Sequence, residues 1–519
     1  MAATDVPPHP FMAKHGASCM HADSFTTNTY PWSGPLGHRP EVSSRAMGFL
    51  GGECPTVNFD SKGRIVTVCV RDRRPSLVLL DPETLEVIDR QALPRRNAPL
   101  LRMRKAMQDT SGGAYFYLDN LDRAVIGTAD GAIEIIGIED TPAGPRLKRQ
   151  ERIALGNHLL RPNGQLDKIT AVLPDYEGNY WFVGRYGTVG IVNKKRAVHV
   201  NHLIGEEIEN SFSIAPEGAY VVSDHALYHF GLASADEPPT QVWREPYDRG
   251  TRVKVGQINR GSGTTPTLLG DDYVAITDNA EPRMNVMVYR RKGLADQGAD
   301  QRLVCRTPVF EPGQSATENT LIGYGRSLIV ENNAGYDIFR TMRKGKTSAP
   351  GIARVDVRAD ESGCDTIWES NENLSNGGAQ ALHGQRPHLR LHQAAQCSRG
   401  HRRLLLHGHR LRERSHRLSR PHGHGSSLRQ QLGRHLAGPR RHRLCGRLER
   451  PRARARPSTR AGAAVRRERD PGPQVLANRS SSSRLRAPGP QERGFSRSPL
   501  GRAMGRAREV SGIGAGDLA

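Results

Sequence analysis

The chain has no run of about 18 apolar residues, which is the length that a membrane-spanning helix needs. A transmembrane helix is therefore excluded. Residues 1–10 also lack the basic start and the apolar core of a signal peptide. We expect either a cytoplasmic protein or a sequence that starts after a removed signal.

Residues 376–519 lack lysine, tyrosine and tryptophan, and they contain a single phenylalanine and a single isoleucine. The same stretch holds 32 arginines and 7 acidic residues, so it carries the whole of the net charge of +22, whereas residues 1–375 are nearly neutral. With so few aromatic and β-branched side chains, it cannot bury enough apolar area to offset the entropy lost on ordering. The sequence predicts a disordered basic tail over residues 376–519.

Two origins of this tail stay open. A genuine arginine-rich tail would suit nucleic-acid binding through contacts to phosphates. Alternatively, the tail is GC-rich coding sequence translated out of frame, because a shift of one base over residues 374–390 and 428–452 permits two further strand-turn-strand segments. We favour the frameshift, so nucleic-acid binding ranks last among the functions considered.

No amphipathic helix of useful length occurs between residues 50 and 370. Short strands rich in Val, Ile, Tyr and Leu alternate instead with turns rich in Asp, Gly and Pro. Four such strands in about 45 residues form the unit of a β-propeller blade, and a blade must stack on its neighbours because it cannot bury both faces alone. The sequence predicts an all-β propeller over residues 49–375, preceded by an irregular arm over residues 1–48 that is laid on the main body. Six units are readable, starting near residues 51, 110, 167, 208, 256 and 316.

One sequence phrase recurs along these units, most clearly at residues 273–290. It consists of a strand, then an acidic or amide residue, then a second strand. Four copies of the phrase end their first strand in polar residues: Asp119, Asn120, Asp224, Asp278, Asn279, Glu331, Asn332 and Asn333. Because the repeats are symmetric, we expect these side chains to meet in one annular region on the axial face. A ring of carboxylates and amides suits Ca²⁺ or a polyhydroxylated ligand, since hard cations take oxygen donors. The alternative is that Asp and Asn end strands because they form Asx turns.

The seven cysteines are an odd number and give no secure disulfide framework. A hairpin centred on the turn at residues 60–63 places Cys54 nearly opposite Cys69. Opposed Cβ atoms in such a hairpin lie about 4.5–5.5 Å apart, which is near the separation that a disulfide needs. Two buried thiols are the alternative. Cys305 and Cys364, on late strands of successive repeats, are a second candidate pair.

Several phrases resemble a known group of proteins. They lie at residues 66–69, 243–250, 261–267, 276–279 and 328–333. On these phrases, residues 10–375 resemble an actinobacterial group of quinoprotein-like β-propeller proteins with PQQ-like repeats. The resemblance implies about eight blades and export to the cell envelope, and it implies no particular substrate. This chain differs from the group in lacking a signal and the last two blades.

Two classes of function remain after these observations. The first is a scaffold of undefined activity that binds a small molecule or a protein at its axial face. The second is an enzyme, either a dehydrogenase that uses pyrroloquinoline quinone or a Ca²⁺-dependent, lactonase-like hydrolase. A quinone would need stacking aromatic residues, for which Trp181 and Trp368 are available. No arrangement of Ser, His and Asp residues typical of a catalytic triad stands out, and neither does a spacing typical of zinc ligands. We therefore favour the scaffold.

Overall fold

A computed structural model shows an all-β protein. It describes residues 6–32, 45, 53–71, 74–96, 109–292, 302–337 and 348–371, together with short strands between residues 379 and 422. All of these belong to a compact unit that spans Met1–Arg450. The helical structure in the described residues is one 3₁₀ turn, Gly156–Leu159. None of it is a helix of the length and apolarity that crossing a membrane requires.

Six four-stranded antiparallel sheets follow one another along the chain. Each sheet is a meander, in which strands that are neighbours in sequence are also neighbours in the sheet. After a short strand β1 (Thr29–Tyr30), blade 1 contains β2 (Glu53–Phe59), β3 (Ile65–Arg71), β4 (Arg74–Leu80) and β5 (Val87–Ala92). Blade 2 contains β6 (Tyr117–Leu118), β7 (Ala124–Gly127), β8 (Ala132–Thr141) and β9 (Gly144–Ala154). Blade 3 contains β10 (Ile169–Pro174), β11 (Tyr180–Gly184), β12 (Thr188–Val192) and β13 (Val198–His202).

The remaining three blades repeat this plan. Blade 4 contains β14 (Ser213–Ala215), β15 (Gly218–Val222), β16 (Ala226–Gly231) and β17 (Thr240–Pro246). Blade 5 contains β18 (Thr267–Leu269), β19 (Tyr273–Thr277), β20 (Asn285–Arg290) and β21 (Leu303–Pro308). Blade 6 contains β22 (Ile322–Tyr324), β23 (Ser327–Glu331), β24 (Ile352–Val357) and β25 (Cys364–Ser370). The protein is a β-propeller, and the predicted fold class and the six predicted units are confirmed.

Neighbouring blades pack face to face through shared apolar clusters. Val183 and Ile191 of blade 3 lie in one cluster with Ile214 and Phe230 of blade 4. Further clusters join blade 1 to blade 2, blade 4 to blade 5 and blade 5 to blade 6. The second and third strands are buried almost throughout, because both of their faces are covered by adjacent blades. The fourth strands are mostly exposed or half-buried, since they form the outer rim.

The N-terminal arm lies among the first strands of the blades rather than on the outside of the body, so the expected position of this arm is corrected. Residues 18–30 are all buried. Backbone N–H groups at the first strands donate to arm carbonyls in turn: Leu118 to Ser18, Ile214 to Ser24, Leu268 to Phe25 and Gly323 to Thr27, at 2.7–3.0 Å. A first strand has a sheet partner on one side only, and its remaining backbone groups need hydrogen bonds when buried. The arm supplies those bonds.

A seventh sheet begins with this arm. β1 pairs in parallel with β26 (Ala379–His383), and β27 (Leu389–Gln393) and β29 (Gly408–Arg410) complete four strands. β28 (Leu404–Leu406) pairs separately with β30 (Arg420–His422). These strands fall within residues 376–519, where the sequence predicts a basic tail. The rest of that tail lies outside the described residues, and the frameshift stays a prediction.

Both candidate cysteine pairs are disulfide-bonded. Cys54–Cys69 joins the first two strands of blade 1. The register of β2 against β3 shifts between Glu53 and Thr56, beside Cys54. Cys305–Cys364 joins β21 to β25 and thus ties the outer rims of blades 5 and 6 together.

Candidate functional site

The links between blades and the turns between second and third strands all lie at one end of the ring, because the meanders are antiparallel. We call this end the upper face. Its links include residues 155–168, 203–212, 247–266 and 309–321, and its turns include residues 128–131, 185–187, 223–225, 278–284 and 332–351, of which 338–347 lie outside the described residues. The turns between first and second strands lie at the opposite end, the lower face.

Six of the eight candidate site residues lie at the upper face, where the second strands of blades 4, 5 and 6 end: Asp224, Asp278, Asn279, Glu331, Asn332 and Asn333. Asp119 and Asn120 do not join them, because they lie in the turn between β6 and β7 at the lower face. The expectation that all eight occupy equivalent places is therefore wrong for these two. A first strand that ends in Asp-Asn looks like a second strand in sequence, and only the sheet order distinguishes them.

The candidate aspartates are engaged in local turns. Asp119 Oδ1 accepts hydrogen bonds from the backbone N–H groups of Leu121 and Arg123, both at 2.9 Å. Asp278 accepts from the backbone N–H groups of Ala280 and Asn285, and burial raises its pKa to about 6. These contacts are those of Asx turns, the alternative that the sequence left open.

The candidate amides brace the upper-face loops. Asn279 Nδ2 donates to the carbonyl oxygens of Arg249 and Arg252, at 2.9 and 3.1 Å. Asn332 Nδ2 donates in the same way to the carbonyls of Gln314 and Pro350. Each of these side chains thus ties a turn to a neighbouring loop.

The two remaining acids and the last amide are also held. Asp224 pairs with Arg249, and its Oδ1 accepts from the backbone N–H of Glu207 at 2.8 Å. Asn333 Oδ1 accepts from the backbone N–H of Glu318 at 2.8 Å. Glu331, which is the last residue of β23, is buried.

The described contacts do not supply the groups that the two suggested cofactors need. Within the described ranges, no three His, Cys, Asp or Glu side chains are grouped so that they could hold a metal ion such as Ca²⁺. The buried Trp181 donates its indole N–H to Asp175 at 3.0 Å, within its own blade. Trp368 lies on β25, the outermost strand of blade 6, and not near the axis where a quinone would stack.

Two Glu-Asn pairs that the sequence analysis missed precede first strands at the upper face. Glu209-Asn210 begins four residues before the start of β14, and Glu318-Asn319 begins four residues before the start of β22. Each pair is followed by a hydroxyl residue and a large apolar residue, which is a repeated motif that could have revealed them.

Arg185, from the upper-face turn of blade 3, pairs directly with the first of these two motifs. Its guanidinium forms ion pairs with Glu209 and, at 3.1 Å, with Glu207. Its charge also lowers the pKa of Glu318, although burial is the larger effect and raises that pKa to about 8. We call Arg185, Glu209, Asn210, Glu318 and Asn319 the axial polar cluster.

Five polar atoms of the axial polar cluster are buried and make no hydrogen bond among the described residues, although the Glu209 carboxylate is ion-paired with Arg185. They are Asn210 Nδ2, Asn319 Nδ2, Glu318 Oε1 and both carboxylate oxygens of Glu209. Asn210 is only 4% exposed, and its Oδ1 accepts from the Tyr115 hydroxyl at 3.1 Å. These atoms belong to two links of the upper face, residues 203–212 and 309–321.

The upper face also carries exposed aliphatic side chains. Among the described residues, nine large apolar side chains are strongly exposed, and five of these lie in upper-face links: Leu160, Leu166, Ile204, Val253 and Val255. The others lie on outermost strands or in one lower-face turn: Val87, Val242, Ile367 and Leu121. Exposed aliphatic residues are thus concentrated at one end of the ring.

No family model and no curated protein matches the chain. Several solved structures are similar to it in part. A protein from Lactobacillus plantarum is 11% identical over 62% of this chain and 84% of that one, with a TM-score of 0.36. The WD40 domain from Toxoplasma gondii coronin is 11% identical over 76% of this chain and 86% of that one, with a TM-score of 0.38. Sqt1 of Saccharomyces cerevisiae is 10% identical over 65% of this chain and 80% of that one, with a TM-score of 0.39. At these values the likeness carries no argument about function.

Proposed function

We propose that the protein is a binding scaffold that holds a protein partner on its upper face. The observation that carries this proposal is the position of the exposed aliphatic residues, five of which lie in three consecutive upper-face links. Single exposed apolar residues are ordinary on a protein surface, whereas their concentration on one face is typical of an interaction surface.

The densest part of this surface surrounds blade 3. Leu160 and Leu166 form a β-bridge with each other, and both are exposed. The Arg161 guanidinium lies 4.0 Å from the centre of the Tyr186 ring in the adjacent turn, and Ile204, in the next link, is 71% exposed. Burial of a Leu or Ile side chain contributes about 1.5–3 kcal/mol. A partner that presents an apolar anchor to this area would therefore gain several such contributions.

We also propose that the protein meets this partner in an oxidising compartment. Two disulfides hold the ring, one within blade 1 and one between the rims of blades 5 and 6. Structural disulfides persist in oxidising compartments and are rare in the cytosol. They support an exported protein, and we expect Cys54, Cys69, Cys305 and Cys364 to resist alkylation in protein purified without reductant.

The proposal is tested by charge substitution at the upper face. Leu166→Glu and Ile204→Glu are compared with Leu121→Glu, a matched change at a lower-face residue that is 65% exposed. We expect the parent and Leu121→Glu to capture the same binding protein from source-cell extract, and both upper-face variants to lose it. Equal melting temperatures would show that all three variants are folded. Capture of the same proteins by all three, or no capture above a bead control by the parent, would contradict the proposal.

A further inference from the structure

We propose that His225 is a pH-sensitive switch that holds the Arg249 side chain at neutral pH and releases it in acid. Both residues lie at the upper face, His225 in the turn 223–225 of blade 4 and Arg249 in the link 247–266 between blades 4 and 5. The proposal is independent of the protein-binding surface. It rests on the hydrogen bonds that fix the protonation of the His225 ring.

The His225 ring is held between a carboxylate and a guanidinium group. Its Nδ1 lies 2.9 Å from Oδ1 of Asp224, and its Nε2 lies 2.6 Å from Nη1 of Arg249. A guanidinium group only donates hydrogen bonds, whereas a carboxylate only accepts them. Nε2 must therefore carry the lone pair and Nδ1 the proton. These contacts fit one form of the ring, which is the neutral form with its proton on Nδ1.

Protonation of the ring makes the contact with Arg249 impossible. The added proton binds to Nε2, so that an N–H group and a positive charge then face the N–H groups of Arg249. The bond from Nδ1 to Asp224 becomes stronger at the same time, because both of its partners are then charged. Arg249 therefore leaves, while His225 stays on Asp224. Histidine is the side chain that ordinarily gains its charge between about pH 8 and about pH 5, so the release belongs to that range.

The guanidinium group of Arg249 has few other contacts that could hold it in place. Its Nη2 donates to Oδ2 of Asp224, and its Nε is buried but makes no hydrogen bond among the described residues. The side chains are also open to solvent in part, since His225 is 31% exposed and Arg249 is 23% exposed. A proton can thus reach the ring without unfolding of the blade. Release of Arg249 gives the upper face, in acid, a cationic group that is open to a carboxylate.

Two links pack against the turn that carries His225. The backbone N–H of Asp224 donates to the carbonyl oxygen of Glu207 at 2.9 Å, and a Cβ at Gly261 would lie only 2.5 Å from the Cα of Asp224. The titratable and charged groups of these links and of the blade 3 turn are paired elsewhere, bonded to the backbone or exposed: Arg185, Glu206, Glu207, Glu209, Tyr247, Asp248, Arg252, Lys254 and Arg260. The described contacts of the His225 ring are thus those with one anion, Asp224, and one cation, Arg249.

The test uses the full chain with its histidine and arginine side chains labelled with ¹⁵N. NMR spectra between about pH 8 and about pH 5.5 show which ring nitrogen of His225 carries the proton, and Arg249→Gln assigns the side-chain signals of Arg249. We expect a neutral ring with its proton on Nδ1 at the upper end of this range. The Arg249 signals should then shift as the ring gains its second proton. His158→Gln, at an exposed position of another upper-face link, is the control and should leave this coupled shift unchanged.

Two substitutions of His225 separate the switch from other effects of acid. His225→Gln keeps an acceptor for Arg249 that cannot gain a proton, so its Arg249 signals in acid should match those of the parent at neutral pH. His225→Lys carries a charge at every pH in this range, and at neutral pH it should give the Arg249 signals that the parent shows in acid. Melting temperatures show that each variant is folded. A proton on Nε2 in the neutral ring, or Arg249 signals that respond to acid in the same way in His225→Gln and the parent, would overturn the proposal.

Discussion

The backbone N–H of Leu268, at the first strand of blade 5, donates a 3.0 Å hydrogen bond to the carbonyl oxygen of Phe25 in the N-terminal arm. Phe25 is fully buried, and the guanidinium of the buried Arg291 lies 4.9 Å from its ring centre. Arg291 in turn forms a 2.6 Å ion pair with Glu217 of blade 4. The arm is thus part of the core of the propeller.

Truncation of Phe25 is expected to destabilise the whole ring. Phe25→Ala should lower the free energy of unfolding by about 3–5 kcal/mol, because it removes a large buried side chain and leaves a cavity. Urea denaturation monitored by tryptophan fluorescence measures the change. Lys14→Ala, at an exposed position of the same arm, is the control and should shift stability by less than about 0.5 kcal/mol. An arm that merely lies on the surface would give two similar, small effects.

Removal of the rim disulfide should cost more stability than removal of the hairpin disulfide. Cys305–Cys364 closes a loop with a sequence separation of 59, compared with 15 for Cys54–Cys69. Chain-entropy estimates for such loops are about 4 and about 3 kcal/mol respectively. Double serine variants of each pair, compared by denaturant unfolding without reductant, measure the two losses. A reversed order would show that strain or residual structure outweighs loop length.

Glu318→Gln should change the pH dependence of stability. Burial raises the pKa of Glu318 from 4.5 to about 8 in the folded protein. The folded state then holds a proton that the unfolded state has lost, so the parent loses stability as pH rises from about 4.5 to about 8. Above pH 8 the variant should be more stable than the parent by at most about 5 kcal/mol, at about 1.4 kcal/mol per pH unit. Melting temperatures between pH 5 and 9 measure this, with the exposed Glu83→Gln as a control that leaves the profile unchanged.

His229 should contribute to destabilisation in acid. Burial lowers its pKa to about 4, and its ring stacks on Tyr220 with 4.6 Å between ring centres. Between about pH 4 and pH 6.5 the unfolded state therefore binds a proton that the folded state does not bind. The free energy of unfolding decreases as the pH falls from about 6.5 towards 4. His229→Phe keeps the stacking and should flatten this part of the profile. His158→Gln, at an exposed position, should leave the loss of stability below pH 6.5 the same as in the parent.

The strands and the hairpin disulfide could be predicted because they depend on short-range patterns. Apolar strand residues on either side of a glycine-containing turn are visible in single segments such as residues 180–192, where β11 and β12 form. The Cys54–Cys69 pair is visible for the same reason, since both residues belong to one hairpin.

The candidate site could be predicted only in part. Asp224 and Asp278 follow the second strands of their blades at the upper face, whereas Asp119 follows the first strand of its blade at the lower face. The Glu209-Asn210 and Glu318-Asn319 pairs lie in links between blades, outside the strand pattern that the sequence analysis follows. Nothing in their local sequence shows that Arg185, from another blade, pairs with Glu209.

The amino-acid sequence by itself determined the blades, since periodic apolar residues and turn residues act within a few positions of each other. Only the tertiary structure decided what fills the centre and which polar atoms meet there. Residues 18–30 are rich in Ser, Thr and Asn and do not look like core, but they are buried because the first strands need hydrogen bonds that this segment can supply. Such pairings join residues hundreds of positions apart, and no local pattern records them.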